Sequence, residues 1–321
     1  MVIKKTEEQE ARRKRVEAGQ IKKYNALVDD FRKRRQEGVN DNESFDITTK
    51  ILEMNPEGYT VWNYRREVLA VLLQKFDDEE KQKWLEGELR FLEGCLKKFP
   101  KVYWIWNHRR WCLKNSPRPD WKRELELVSK MLEYDPRNFH GWHYRREVIA
   151  NIEKQTGRSM VKEEVQYTTK KINSNFSNFS AWHNRVNLIP QLIKEDKLDG
   201  QKVLKEELDY TRNALYTDPD DQSSWLYHRW LIMNNAIAPD LTVEERLEIL
   251  NAEIKSIQEL EELEPDNKWC LLSLVEYEEY KSKLQGQKSN RPETLKRLEK
   301  LKKADPMRLN RYKYLEQQLV N

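Results

Sequence analysis

The residues best suited to covalent or metal chemistry are too scattered in this chain to perform it. Cys95, Cys112 and Cys270 have no paired spacing, so they read as reduced thiols and not as a disulfide frame or a metal cluster. No Cys, His or Asp group has zinc-ligand spacing, no glycine-rich loop could cradle a phosphate, and no nucleophile is paired with a base. The expectation for metal ligands is therefore none. What recurs is a tryptophan followed one helical turn later by arginine. The clear copies are Trp62-Asn63-Tyr64-Arg65-Arg66, Trp106-Asn107-His108-Arg109-Arg110 and Trp142-His143-Tyr144-Arg145-Arg146. Looser copies are Trp182-His183-Asn184-Arg185 and Trp225-Leu226-Tyr227-His228-Arg229, with an echo at Pro265…Trp269.

Residues three and four apart share a helix face, so each tryptophan sits over the arginines of the next turn. A large ring there suits packing between helices, and the guanidinium groups suit acids of the adjacent helix or the carbonyls of a preceding turn. The pattern reads as mortar, with Trp62, Arg65, Arg66, Trp106, Arg109, Arg110, Trp142, Arg145, Arg146, Trp182, Arg185, Trp225 and Arg229 as structural residues of a repeat. His108, His143, His183 and His228 lie inside it and are read as structural too.

These residues need elements to hold them, and the spacing supplies the elements. Pro56, Pro100, Pro136 and Pro219 each precede their tryptophan by six residues, with Phe176 in that place in the fourth copy, and successive tryptophans are 44, 36, 40, 43 and 44 apart. A period in that range indicates stacked supersecondary units. Apolar positions three to four apart, as at Leu85, Leu89, Leu92 and Leu96, mark the first helix of each pair. Phe99-Pro100 and its counterparts stop that helix, and the second begins around the tryptophan. Turns are expected at 115–119, 156–159, 194–200, 236–240 and 285–292. The fold expected is all-α, a right-handed α–α superhelix or crescent of helical hairpins. Residues 1–40 read as an amphipathic helical arm, with Ile21, Tyr24, Leu27, Val28 and Phe31 at helical spacing, and 41–321 as one repeat domain.

The chain of 321 residues is 36% charged, with 59 basic and 55 acidic residues and a net charge of +4. Near-cancelling signs argue against nucleic acid, and the runs Arg12–Arg15 and Arg32–Arg35 read as solvated helix faces. No apolar run approaches the ~20 residues that span a bilayer. With a charged start and no secretory segment, a cytoplasmic location is expected.

Five copies of a tryptophan six residues after the turn position and followed by arginine resemble the repeats of the protein prenyltransferase α subunits, over roughly residues 44–319. Within that family, the stretch Asp218-Pro219-Asp220-Asp221-Gln222-Ser223-Ser224-Trp225 resembles the type II geranylgeranyltransferase branch, which acts on Rab GTPases. The resemblance implies a heterodimer with a β subunit that holds zinc and the isoprenoid pocket. A substrate cysteine there displaces diphosphate from geranylgeranyl diphosphate, with a Rab escort protein delivering the Rab substrate.

The resemblance also implies site residues. In the family a lysine five before the second-repeat tryptophan steadies the departing diphosphate, and a tyrosine stands three before it; here these are Lys101 and Tyr103. Other copies lack the pair, having Glu57 and Tyr59, Arg137 and Phe139, or Ser177 and Phe179. His140 matches a histidine of the family's third repeat and is expected at the diphosphate or the β contact. Farnesyltransferase-type α subunits carry a glutamine two before the second-repeat tryptophan to hold a peptide carboxylate. Trp104 stands there in this chain, which favours the type II branch over the α subunit shared by farnesyltransferase and geranylgeranyltransferase type I. A non-catalytic scaffold is the remaining alternative. The end at Asn321, straight after the last helical segment, resembles the short fungal form.

Overall fold

The computed structural model describes residues 7–287 and 291–320. The first six residues of the expected arm, 288–290 of the expected final turn and residue 321 lie outside them. The described residues form fifteen α-helices and one short 3-10 turn. After α1 (Glu7–Gln36) come six hairpins: α2 (Asn42–Met54) with α3 (Tyr59–Leu73), α4 (Asp78–Lys98) with α5 (Tyr103–Asn115), α6 (Trp121–Tyr134) with α7 (Phe139–Thr156), α8 (Val161–Ser174) with α9 (Phe179–Asp196), α10 (Gly200–Thr217) with α11 (Gln222–Met233), and α12 (Val243–Leu263) with α13 (Lys268–Gln285). Helices α14 (Arg291–Ala304) and α15 (Leu309–Val320) follow. The all-α hairpin repeat is thus as expected. In the five repeat copies the second helix begins three residues ahead of its tryptophan, at Tyr59, Tyr103, Phe139, Phe179 and Gln222, so the ring enters the core from the first turn.

Several helices start where short polar side chains satisfy their free N–H groups, although α3, α5 and α8 start without a side-chain cap. Asp41 accepts from the Ser44 amide at 2.8 Å and Asp77 from the Glu80 amide at 2.8 Å. At α12, Thr242 and Glu245 form a reciprocal capping box.

The chain divides into two compact units, one made of residues up to Glu133 with Asn138–Ile152, the other of Tyr134–Arg137 with residues from Glu153 on. In the first, Ile51, Leu52, Trp62, Leu69, Leu92, Leu96, Ile105 and Trp106 are all essentially inaccessible. Burial of one such tryptophan contributes about 2–3 kcal/mol. Helix α1 joins this unit through its C-terminal half, where Phe31 meets Tyr64 edge-on and the Tyr24 hydroxyl accepts from Asn55. In the second unit, Gly200 at the start of α10 faces the Ile237 carbonyl so closely that a Cβ would lie 2.3 Å from it. Only glycine allows that approach. The last core cluster of this unit joins Leu271, Val275, Leu298, Leu301, Tyr312 and Leu319.

Candidate functional site

The turn between the helices of each hairpin explains the fixed step from proline to tryptophan. Val102 N–H donates to the Phe99 carbonyl at 3.3 Å, closing a four-residue turn with Pro100 second and Lys101 third, and proline's fixed φ suits that second place. The indole N–H then reaches back to the carbonyl of the residue six before it: Trp62 to Pro56 at 2.8 Å, Trp106 to Pro100 at 3.0 Å, Trp182 to Phe176 at 2.7 Å and Trp225 to Pro219 at 2.8 Å. The acceptor is a backbone carbonyl, which is why Phe176 can replace proline. The echo differs because Pro265 stands only four before Trp269, and there the indole donates to the Asp220 carbonyl at 3.2 Å.

In three copies the arginine three after the tryptophan is buried on a carboxylate of the next hairpin's first helix. Arg65 grips Glu88 with two bonds of 2.6 and 2.7 Å, Arg109 grips Glu124 at 2.7 and 2.6 Å, and Arg185 grips Glu207 at 2.6 and 2.5 Å. Leftover guanidinium donors go to Thr48, Thr49 and the Phe45 carbonyl from Arg65, and to the Leu89 carbonyl from Arg109. The residue two after the following tryptophan donates to the same carboxylate. His108 meets Glu88 at 2.8 Å, Tyr144 meets Glu124 at 2.5 Å and Tyr227 meets Glu207 at 2.7 Å. Each glutamate therefore ties two successive repeats together.

The fifth copy keeps the carboxylate and changes the cation. His228 holds the place of the buried arginine and meets Glu253 at 2.9 Å and the Tyr277 hydroxyl at 2.8 Å, while Arg212 supplies the guanidinium to Glu253. Arg229 corresponds to the outer arginines Arg66, Arg110 and Arg146, and pairs with Glu276 at 3.2 Å. Arg66 hydrogen-bonds Asn63, and Arg110 pairs with Glu147. Arg145 donates to Ser129 at 2.7 Å. These glutamates, and Tyr144 and Tyr227 two after their tryptophans, were not singled out from the sequence, whereas His108 was read as structural. A signal existed, because Glu88 lies between Leu85 and Leu92, and Glu253 between Leu250 and Ile257, where an apolar stripe should run.

Charge in these buried sites is settled by pairing. Burial alone would raise the Glu88 carboxyl, but the Arg65 charge and the bonds from His108 and Arg65 outweigh it and hold the group at about 2. Burial pushes His108 below the usual histidine range against the pull of Glu88, so it sits as a neutral ring donating through Nε2. The thiols are protonated, with burial raising Cys95 to about 11, Cys270 to about 12 and Cys112 well above its ordinary value. None of the three is a nucleophile in this state.

Lys101, Tyr103 and His140 do come together, at the turn ahead of α5 and the start of α7. Lys101 is exposed in the turn, Tyr103 is 49% exposed on the first turn of α5, and its ring centre lies 5.8 Å from that of His140. The His140 ring is buried, touches Phe139 at 4.0 Å between centres and hydrogen-bonds to the Lys101 backbone. Burial lowers its pKa, the bond to Lys101 raises it, and the charges of Arg110 and His143 lower it further. Trp104 packs on Tyr59 and Tyr103 at 5.6 and 5.4 Å. An exposed ammonium beside a phenol can steady an anion, while the one base of the group, the His140 ring, is buried and bonded to the Lys101 backbone. Among the described residues no cluster of His, Cys, Asp or Glu could hold a metal ion, and no helix is long and apolar enough to cross a membrane.

Residues 41–72, 85–116, 121–152, 161–192 and 204–235 match the protein prenyltransferase alpha subunit repeat, one match for each of the five tryptophan-arginine copies. The chain is 43% identical to the geranylgeranyl transferase type-2 subunit alpha of Schizosaccharomyces pombe, covering 99% of this chain and 97% of that protein. It is 39% identical to the subunit of that name from Saccharomyces cerevisiae, covering 96% and 95%, and 40% identical to that of Dictyostelium discoideum, covering 97% of each. Among solved structures, Candida albicans protein geranylgeranyltransferase-I complexed with GGPP shares the fold, with a TM-score of 0.70 at 22% identity over 93% of this chain and 91% of that one.

Proposed function

The chain belongs to the protein prenyltransferase α-subunit family, and from that premise we propose that it works as the α subunit of a heterodimeric type II geranylgeranyltransferase. With its β partner it transfers a geranylgeranyl group from geranylgeranyl diphosphate to C-terminal cysteines of Rab GTPases presented by a Rab escort protein in the cytoplasm. The near full-length likeness to type-2 α subunits supports this reading. Zinc belongs to the β partner, where it would supply the substrate cysteine as a thiolate; among the described residues of this chain no group of His, Cys, Asp or Glu could hold it.

This chain contributes charge at the turn of Phe99–Val102. As the C–S bond forms and the C–O bond to diphosphate breaks, negative charge accumulates on the departing diphosphate. A cation already in place stabilises that state more than the bound substrate. Lys101 supplies the ammonium, the Tyr103 hydroxyl a hydrogen bond, and His140 lines the same surface. In the β-bound enzyme Lys101→Ala should leave assembly intact and slow transfer by about 10- to 1000-fold, the range for removal of a transition-state donor. Unchanged turnover at saturating substrates would remove Lys101 from the mechanism. Transfer to free C-terminal peptides without the escort would instead identify the α subunit shared by farnesyltransferase and geranylgeranyltransferase type I, and assembly with no transfer a scaffold.

A further inference from the structure

We propose that Asn138 and His140 are positioning residues that hold the backbone of the Phe99–Val102 turn, so that the Lys101 ammonium is presented to the diphosphate from one fixed origin. The inference rests on Lys101 as the diphosphate contact. The Pro100 carbonyl accepts from the Trp106 indole at 3.0 Å and from Asn138 Nδ2 at 3.1 Å. The next carbonyl, that of Lys101, is taken by the His140 ring. That bond favours the protonated ring, so the ring nitrogen donates and the carbonyl accepts. Two consecutive carbonyls are thus fixed by the repeat that follows.

The clamp is itself held firmly. Asn138 Oδ1 accepts the amides of His140 at 3.0 Å and Gly141 at 3.3 Å, so one side chain caps α7 and reaches the turn. Gly141 lies so near α6 that a Cβ would stand 3.0 Å from Leu132 Cδ2. The start of α7 is therefore packed closely on α6. A lysine stem is flexible, so the placement of its Cα decides which volume the ammonium can reach.

Each half of the device recurs in the second unit, at two separate turns. Ser223, two before Trp225 as His140 is two before Trp142, donates Oγ to the Ser177 carbonyl at 3.3 Å, and Ser177 holds the place of Lys101. Asn267 Nδ2 reaches the Pro219 carbonyl at 3.3 Å, as Asn138 reaches Pro100. Carbonyl fixing belongs to the scaffold, and at the second repeat it fixes a cation.

The test uses the assembled heterodimer with geranylgeranyl diphosphate and escort-bound Rab, with α/β recovery on size exclusion as the control for folding. Asn138→Asp keeps the cap oxygen and loses the Nδ2 donor, while His140→Phe keeps the ring contacts and loses the ring donor. Each should lower kcat about 10- to 100-fold, the effect of a misplacement near 1 Å, with KM for the diphosphate little changed. His140→Gln, which retains an N–H donor, should recover most of the rate. In a Lys101→Ala background, His140→Phe should cost nothing more, because the two act as one unit. A full further loss there, or a His140→Gln enzyme as slow as His140→Phe, overturns the clamp. A slow Lys101→Ala enzyme beside a His140→Phe enzyme at the native rate also sinks the clamp alone, whereas a native-rate Lys101→Ala enzyme sinks the diphosphate reading and the clamp with it.

Discussion

The turn ahead of α5 and the turn ahead of α9 share a skeleton and differ in what they display. In both, a four-residue turn closes by an N–H to carbonyl bond, Val102 to Phe99 at 3.3 Å and Asn178 to Asn175 at 3.0 Å. In both, an indole bonds back six residues, and an arginine three beyond it grips a buried glutamate with two bonds. Yet the third turn position is Lys101 in one and Ser177 in the other, and the residue three before tryptophan is Tyr103 in one and Phe179 in the other. The contrast shows that the repeat motif builds the platform, and that chemistry enters by substitution at exposed positions the motif leaves open.

The sharpest way to break this comparison is at the shared part. Arg109→Ala and Arg185→Ala each leave a buried glutamate without its cation, so each should lower the stability of the assembled enzyme by about 3–5 kcal/mol. Denaturant midpoints for the two variants should fall together, and a large loss at one with none at the other would refute a common platform. The exposed position should behave in the opposite way. Lys101→Ser makes the first turn copy the second; it should reduce transfer by about 10- to 1000-fold while the midpoint stays put, and Ser177→Ala should alter neither.

The charge stored under the first unit should also appear in the pH dependence of stability. The carboxyl of Glu88 titrates at about 2 in the fold against an ordinary 4.5. Its contribution is therefore complete above about pH 4.5 and is lost as pH falls towards 2. The amount is about 3 kcal/mol, and Glu88→Gln should flatten the stability curve over that window. If the curve of the variant keeps its slope, the carboxylate responsible lies elsewhere. The smallest effect expected is at the indole bond. Trp106→Phe keeps most of the ring and removes the N–H, and should cost about 1 kcal/mol, read from the same unfolding curves.

Much of the scaffold was legible before any coordinate, because its signals are local. The six-residue step from Pro100 to Trp106 encodes a turn followed by one helical turn, and the arginine at three or four further on follows from 3.6 residues per turn. Even so, the spacing did not disclose why the step is six. That required the indole to be seen donating to the Pro100 carbonyl. The fifth copy was legible only in part. In the sequence this copy simply has His228 in place of the arginine, whereas in the fold Arg212 from α10 restores the cation at Glu253. A pattern read on the tryptophan helix alone cannot reveal a compensating charge supplied by the other helix of its hairpin.

For the candidate site, the sequence by itself determined which residue types occupy the turn and that Lys101 and Tyr103 occur together in only one copy. It also determined an all-α chain of hairpins, since helical periodicity and proline stops act over a few residues. The tertiary structure alone decided which groups meet. Glu88 joins Arg65 and His108 across two hairpins, and His140 reaches the Lys101 backbone from a helix that begins 36 residues after α5 begins. Those pairings depend on how the hairpins pack, because burial makes an unpaired charge or polar group costly and so selects the partner that lies nearest in space, whatever its distance along the chain.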